Sequence, residues 1–130
     1  GACIVDANNV ILSTGYNGFP IGCSDDVFPW DRSAENREDT KYPYVVHAEL
    51  NAILNAGGKS LRGSRIYVAL FPCNECAKAI IQAGIKEVIY LSDKYASDPM
   101  TIASKNMLRA AGVSLKQFEP ESDSITLEFR

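Results

Sequence analysis

The stretch Val46-His47-Ala48-Glu49 opens a regular alternation of helix and strand patterns that decides the fold of this chain. Helical composition covers 47–56 and 73–83, and apolar strand patterns cover 65–71 and 87–91. Repeated units of this kind predict an α/β fold, with helices on the faces of a sheet that is largely parallel in its second half.

The pattern continues toward the end of the chain. Pro99 opens a third helix, with Asp98 as its N-cap, and Gly112 ends it. Each helix closes on an Ala-Gly pair, where glycine adopts the left-handed conformation that terminates a helix. Apolar runs over 113–118 and 125–129 predict two final strands.

The chain begins with a hairpin pattern and a long irregular segment. Apolar runs over 2–5 and 10–16 flank Asp6-Ala7-Asn8-Asn9, which predicts a β-hairpin. The segment 17–44 is rich in Gly, Pro, Asp and Ser but carries several aromatic residues, so we predict an ordered loop rather than a disordered linker. Residues 1–130 are thus predicted to form a single domain.

Composition limits the partners and surroundings that the chain can have. The 130 residues are 46% apolar and 22% charged, as in ordinary globular domains. The net charge of -3 and the pI near 5.1 disfavour nucleic acid as a partner. No apolar run approaches the roughly 20 residues of a membrane span. The four cysteines form no evident disulfide framework, so we expect a reducing, cytoplasmic location.

The single histidine and one pair of cysteines form a candidate metal site. His47 offers an imidazole, and Cys73 and Cys76 offer two thiolates with the spacing of a metal clamp. These ligands fill three corners of a zinc tetrahedron and leave the fourth open, as in catalytic zinc sites. Both motifs fall at predicted helix starts, where free N–H groups stabilise thiolates. We therefore expect one catalytic zinc ion.

Glu49 is the candidate proton carrier. Two positions along a regular helix rotate a side chain by about 200°, so Glu49 and His47 can face one pocket only if His47 precedes the regular turn. A carboxylate there can take a proton from water, give it to a ring nitrogen and later protonate departing ammonia. His-x-Glu followed by Pro-Cys-x-x-Cys is typical of zinc-dependent nucleobase deaminases.

A plainer interpretation of the cysteines stays open at this point. A Cys-x-x-Cys pair alone is often a structural zinc site or a redox pair. A structural zinc would need a fourth ligand, and the chain has no second histidine to provide it. Cys3 or Cys23 could serve instead.

Beyond these motifs, the chain resembles the deoxycytidylate (dCMP) deaminases of the cytidine/deoxycytidylate deaminase superfamily. The resembling blocks are Gly15–Pro20, Gly22–Asp26, Lys41–Tyr44, His47–Ile53, Ala69–Lys78, Ile85–Ile89 and Ser92–Tyr95. The resemblance implies a three-layer cytidine-deaminase-like fold, with a central mixed sheet of about five strands and helices on both faces. Members of this family normally carry a helix before the first strand, and we expect that helix to be absent here.

The resemblance also implies an activity, namely zinc-dependent hydrolysis of dCMP to dUMP and ammonia, which supplies dUMP for thymidylate synthesis. His47, Cys73 and Cys76 would hold the zinc, and Glu49 would shuttle protons. The implied substrate contacts are Asn17 (sugar), the Ala48 N–H (pyrimidine carbonyl), Asn51 (pocket support), and Lys94 and Tyr95 (phosphate).

Three of the implied substrate contacts have a plainer alternative. Asn17 could belong to an ordinary Asn-Gly turn. Asn51 could lie on a solvated helix face, and Lys94 could be a solvated loop charge.

Many relatives are hexamers that dCTP activates and dTTP inhibits. The resemblance therefore implies a homohexamer with a nucleotide effector site, and Mg²⁺ could accompany a triphosphate effector. The implied effector residues are Tyr16, Asn17, Gly18 and Gly22. The alternative for this loop is a rigid Ω-loop at a subunit contact.

Three other functions compete with dCMP deamination. A dCTP or dual dCMP/dCTP deaminase would share the zinc site and differ only in its phosphate contacts. A deaminase of RNA or single-stranded DNA would need a basic channel and stacking aromatic residues, and this acidic chain has aromatic residues but no Lys/Arg run. A catalytically silent nucleotide-binding or assembly module would have no need for Glu49.

Overall fold

The computed structural model describes residues 1–129. Its strands are β1 (Ala2–Val5), β2 (Ile11–Gly15), β3 (Arg65–Leu70), β4 (Glu87–Ser92) and β5 (Ser114–Gln117). Its α-helices are α1 (Ala48–Asn55), α2 (Asn74–Gln82) and α3 (Pro99–Ala110), and a 3-10 turn spans Arg37–Asp39. Within these residues no helix combines the length and the apolar character needed to cross a membrane.

The strands form a mixed sheet in the order β2-β1-β3-β4-β5. β1 pairs antiparallel with β2 and β3, whereas β3, β4 and β5 run parallel. The antiparallel part contains the predicted hairpin, in which the Asp6 carboxylate accepts hydrogen bonds from the N–H groups of Asn8 and Val10. The parallel part contains the predicted βα units. Both predictions are confirmed.

The predicted helix ends are also confirmed. Asp98 caps α3 by accepting a hydrogen bond from the Met100 N–H at 2.8 Å. The glycines after the three helices, Gly57, Gly84 and Gly112, all have positive φ. Each stop lets the chain turn back toward the sheet.

One face of the sheet carries all three described helices. Ile4 and Ile66 on neighbouring strands are fully buried in a single cluster with Ala52 of α1, Ile80 of α2 and Leu108 of α3. The order β3-β4-β5 explains this arrangement. Right-handed crossovers that advance in one direction along a parallel sheet place their helices on the same side.

The second face, where we also expected helices, is lined by strand side chains and the segment 118–125. Along their strands, Cys3, Tyr67 and Ile89 alternate with the residues that pack against the helices on the first face. Together with several residues of that segment they line a largely apolar cavity of about 740 Å³. Helical cover is therefore one-sided within residues 1–129.

The predicted strand over 125–129 is wrong. These residues have no regular secondary structure, and Ile125, Leu127 and Phe129 are largely exposed. The segment before them lies over the second face instead of continuing along the edge of β5. An alternating apolar pattern forms a strand only where a neighbouring strand supplies hydrogen bonds.

The long segment between β2 and α1 contains a cluster of aromatic rings. The ring centroid of Phe19 lies 4.3 Å from that of Trp30 and 5.9 Å from that of Phe28. Phe28 in turn lies 5.2 Å from Tyr44 in an edge-to-face contact. Such contacts stabilise irregular backbone, and they agree with the prediction of an ordered loop.

The free edge of β2 is covered by α1 and the residues that follow it. Backbone carbonyls along this edge accept hydrogen bonds from side chains spaced four residues apart, namely Tyr16 from Asn51, Thr14 from Asn55, and Leu12 from Lys59. An uncovered edge strand invites pairing with other chains. These bonds occupy its acceptors and hold α1 along it.

Gly15 allows β2 and α1 to approach each other closely. A Cβ atom at Gly15 would lie 2.4 Å from both the Ala48 oxygen and the Ala52 nitrogen. Both are backbone atoms, so no change of rotamer could relieve the contact. Glycine is required here because the space for a side chain is missing.

Gly15→Ala is therefore expected to lower the free energy of unfolding by about 3 kcal/mol, measured by urea denaturation. Gly58→Ala is the matched control, since no described atom lies within 4 Å of an added Cβ at that position. The control should change stability by less than about 1 kcal/mol. Equal stability of the two variants would contradict the close approach.

Candidate active site

His47 occupies the N-cap position of α1. Its backbone is extended, with φ -68° and ψ 153°, and the regular helix begins only at Ala48. The side chain therefore escapes the helical rotation that would separate it from Glu49, and both residues line one cavity. The expectation that His47 precedes the regular helix is confirmed.

Cys73 occupies the equivalent position at the start of α2. Its backbone is also extended, and its sulfur accepts a hydrogen bond from the Cys76 N–H at 3.5 Å. Cys76 lies in the first turn of the helix and is buried. The sulfur of Cys73 thus meets an N–H group that has no partner within the helix, which favours its thiolate form.

The three predicted metal ligands converge on one point. His47 Nδ1 lies 3.4 Å from Cys73 Sγ and 3.5 Å from Cys76 Sγ. Tetrahedral zinc, with Zn–S bonds of about 2.3 Å and Zn–N bonds of about 2.0 Å, requires a nitrogen–sulfur separation of roughly 3.5 Å. The donor set and its spacing therefore fit Zn²⁺.

Neither remaining cysteine belongs to this group. Within residues 1–129, His47, Cys73 and Cys76 are the one set of three potential ligands whose donor atoms lie within 4.8 Å of one another. Cys3 and Cys23 are free cysteines outside it. The geometry thus gives no fourth protein thiolate, which is the arrangement of an open, catalytic zinc site.

The three ligands hold their protons unevenly. A hydrogen bond from Cys76, assisted by the imidazole of His47, lowers the pKa of Cys73 to about 4. The same hydrogen bond, together with burial, raises the pKa of the Cys76 thiol. The hydrogen bond to Cys73 raises the pKa of His47. The hydrogen bond thus favours the negative charge on Cys73 and the proton on Cys76.

Glu49 faces a cavity of about 280 Å³ that it shares with His47 and Cys73. Burial raises the pKa of Glu49 above its usual value. A raised pKa suits a carboxylate that accepts a proton and then releases it near neutral pH. The other lining residues are Gly1, Asn17, Ala48, Ala69, Leu70 and Phe71.

Ala69, Leu70 and Phe71 line the cavity although they were not among the predicted site residues. They lie at the carboxyl end of β3 and just beyond it. Binding sites of open α/β sheets form at the carboxyl ends of their strands. That position was the signal that could have found these residues.

Two of the expected substrate contacts bind each other. The Ala48 N–H donates a hydrogen bond of 2.9 Å to Asn17 Oδ1, and both residues line the cavity. Asn17 therefore does more than form an Asn-Gly turn, because it satisfies a free N–H at the start of α1. A pyrimidine carbonyl could accept from this N–H only if the Asn17 side chain moved aside.

Asn51 supports the site from outside the cavity. Its amide nitrogen donates to the Tyr16 carbonyl at 2.8 Å and lies 3.5 Å from the Val46 carbonyl. These carbonyls belong to the residues just before Asn17 and His47. Asn51 thus joins the two segments that carry those side chains, and it is not among the described lining residues.

Lys94 and Tyr95 lie in the exposed loop after β4. The Lys94 ammonium stands 5.2 Å from the centroid of the Tyr95 ring. Neither residue is among the described lining residues of the cavity. The loop nevertheless begins beside the cavity wall, because Leu70 pairs with Ser92 in the parallel sheet.

The expected effector residues have different surroundings in the described part of the chain. Tyr16 and Gly18 line a small cleft of about 180 Å³ with Phe19, Asn51 and Asn55. Asn17 lies in the larger cavity beside Glu49. Gly22 is exposed, has a φ of 90°, and is not among the described residues of either.

Comparison with known proteins agrees with this geometry. The family model described as the cytidine and deoxycytidylate deaminase zinc-binding region matches residues 1–92. Deoxycytidylate deaminase of Mus musculus is 57% identical over 129 residues, which cover 99% of this chain and 72% of the mouse protein. Deoxycytidylate deaminase of Enterobacteria phage T4 is 33% identical, with 86% of this chain and 75% of the phage protein covered.

Solved structures include the same fold. The crystal structure of dCMP deaminase from cyanophage S-TIM5 in complex with dCMP and dUMP matches with a TM-score of 0.68 and 30% identity. The match covers 90% of this chain and 79% of the cyanophage chain. By sequence, by fold and by the convergence of an imidazole with two thiolates, this chain belongs to the cytidine and deoxycytidylate deaminase family.

Proposed function

We propose that this protein is a zinc-dependent enzyme that hydrolyses dCMP to dUMP and ammonia, and so supplies dUMP for thymidylate synthesis. The observation that carries the proposal is the cluster of His47, Cys73 and Cys76 beside a cavity that Glu49 shares with His47 and Cys73. The 57% identity to deoxycytidylate deaminases supports the choice of substrate.

In this proposal, His47 Nδ1 and the sulfurs of Cys73 and Cys76 hold the zinc ion. When bound, zinc supplies Lewis acidity, which makes a hydroxide nucleophile available at neutral pH. Cys73 would contribute a thiolate, which the hydrogen bond from Cys76 favours, and Cys76 would give up its proton to bind the metal.

Glu49 moves the protons of the reaction. Its carboxylate takes one proton from the attacking water and delivers it to the ring nitrogen beside the reacting carbon. It later helps to protonate the amino group, which leaves as ammonia. Burial supports this role because it raises the pKa of Glu49 toward the pH at which the enzyme works.

The cavity wall holds the pyrimidine and excludes water. Leu70 and Phe71 offer an apolar surface to the ring, and Asn17 offers its amide to the sugar. Asn51 acts as a positioning residue, because it contacts the carbonyls of Tyr16 and Val46 and not the cavity. Lys94 and Tyr95, in the loop that begins beside the wall, would bind the substrate phosphate.

Effector binding and assembly form a second layer of the proposal. The cleft at Tyr16 and Gly18 is a candidate surface for dCTP or dTTP, with Mg²⁺ accompanying the triphosphate. Exposed apolar side chains in the loop, such as Ile21 and Val27, support burial in a homo-oligomer, which we propose to be a hexamer in the cytoplasm.

The substrate is tested by ammonia release from dCMP, dCTP, CMP and cytidine. We expect kcat/KM for dCMP to exceed that for cytidine by about a hundredfold or more, because unpaired phosphate-binding groups penalise the nucleoside. Comparable turnover of dCTP would instead indicate a dual dCMP/dCTP deaminase. Comparable turnover of cytidine would contradict a nucleotide-specific enzyme.

Glu49→Gln should lower kcat on dCMP by at least about a thousandfold, because the amide cannot carry a proton. The variant should still bind zinc and dCMP, measured by metal analysis and calorimetry. Glu75→Gln is the control, since this exposed carboxylate lies between the two cysteine ligands. An active Glu49→Gln variant would refute the proton-transfer role, and an inactive wild-type protein would favour a catalytically silent module.

Cys76→Ser should reduce bound zinc well below one ion per chain and abolish ammonia release, because a buried thiolate ligand is lost. Metal content is measured after gel filtration in a buffer that contains a chelator of moderate strength. Cys23→Ser is the matched control and should retain zinc, since Cys23 lies outside the ligand group. Full zinc content in the Cys76 variant would overturn the assignment.

A further inference from the structure

Helix α3 holds the two residues that precede the ligand Cys73. Ser104 is fully buried, and its hydroxyl donates a hydrogen bond of 2.8 Å to the Pro72 carbonyl. The ammonium of Lys105, the next residue, stands 5.1 Å from the centroid of the Phe71 ring. Consecutive residues of α3 therefore contact consecutive residues of the turn that leads into the metal site.

Lys105 is itself fixed by Asp93, which follows the last residue of β4. The two side chains form an ion pair, and each is less than one-fifth exposed. The second oxygen of Asp93, Oδ1, is buried without a hydrogen-bond partner among the described residues. By contrast, the ion pair of Lys78 and Glu75 on α2 is mostly exposed. The pair of Asp93 and Lys105 thus anchors its lysine more firmly than a surface pair would.

Phe71 is the residue through which this anchor can reach the reaction. Its ring is buried, lines the cavity beside Glu49 and packs edge-to-face on Tyr90 at 4.9 Å. The ring thus contacts both Tyr90 and the ammonium of Lys105. Lys105 is not among the described lining residues of the cavity, and its contact with a lining residue is the one with Phe71.

We propose that Lys105, anchored by Asp93, is a positioning residue that fixes the Phe71 ring as the wall of the pyrimidine site. The inference rests on the proposed function, and it gives α3, which lies beyond the segment matched by the family model, a role in substrate binding. A cation over an aromatic face attracts it and restricts its orientation. A fixed wall binds a flat base without losing side-chain entropy at each turnover.

A purely structural role for the pair makes a different prediction. Replacing both partners of a buried ion pair often leaves stability unchanged or higher, whereas removing one partner leaves an uncompensated charge. The informative variant is therefore Asp93→Asn combined with Lys105→Met. It removes both charges together and keeps a side chain of similar length over the ring.

Kinetics, metal analysis and NMR of the Phe71 ring test the proposal. We expect the double variant to keep one zinc per chain and to raise KM for dCMP about tenfold, with a smaller change in kcat. The single variant Lys105→Arg, with Asp93 intact, should have a KM close to that of the wild type, because a guanidinium retains both the charge and the ring contact. Lys78→Met, which breaks the exposed pair, should leave both constants unchanged.

A Phe71→Leu comparison distinguishes positioning from general destabilisation. If Lys105 acts through Phe71, this substitution should raise KM much less in the double variant than in the wild type. Equal effects in both backgrounds, or an unchanged KM in the double variant, would overturn the proposal.

The NMR measurement does not depend on the proposed activity. In protein with ¹³C-labelled phenylalanine, the Phe71 ring signal is assigned by its loss in Phe71→Leu. The chemical shift of this signal should change in the double variant and should be close to the wild-type value in Lys105→Arg. An unmoved signal would overturn the positioning role even in an active enzyme. The signal could move in the double variant while the wild-type protein releases no ammonia from dCMP. That pair of results would reject the proposed function and leave the positioning role in place.

Discussion

The hydrogen bond from the Ala48 N–H to Asn17 Oδ1 joins the end of the hairpin to the start of α1, and the site depends on that junction. Gly15 permits the approach, since its missing side chain leaves room for the helix backbone. Gly18 pairs with Val46 through two backbone hydrogen bonds just before His47. The junction therefore fixes where α1 begins, and with it the extended backbone that turns His47 toward the cysteines.

The metal ligands come from two helix starts of the same kind. His47 and Cys73 both hold N-cap positions with extended backbone, so the direction of neither side chain is set by helical backbone geometry. The thiol and the backbone N–H of Cys76 both donate hydrogen bonds to the Cys73 sulfur. Together with the imidazole of His47, these bonds lower the pKa of Cys73 to about 4. The negative charge is thus favoured on Cys73. The proton on Cys76 must leave when a metal binds, so metal affinity falls as the solution becomes acidic.

The sequence predicts the elements better than it predicts their surroundings. Spacing and composition located the sheet, the caps and the ligand triad, because these follow from local periodicity and from the chemistry of His47, Cys73 and Cys76. The strand over 125–129 failed because its pattern says nothing about whether a partner strand is present. The bond between Asn17 and Ala48 and the lining role of Phe71 depend on contacts between distant segments, which periodicity does not encode.

The ion pair of Asp93 and Lys105 shows how a site can draw on residues that carry no motif. A lysine on α3 and an aspartate after β4 would each read as solvated charges from the sequence, yet both are mostly buried beside Phe71. Burying two charges costs more than packing apolar groups of the same size, so stability alone does not account for them. Their contact with the aromatic wall of the cavity accounts for them in the proposed positioning role. A binding site gains from a ring with a fixed orientation, because less side-chain entropy is lost when the substrate binds.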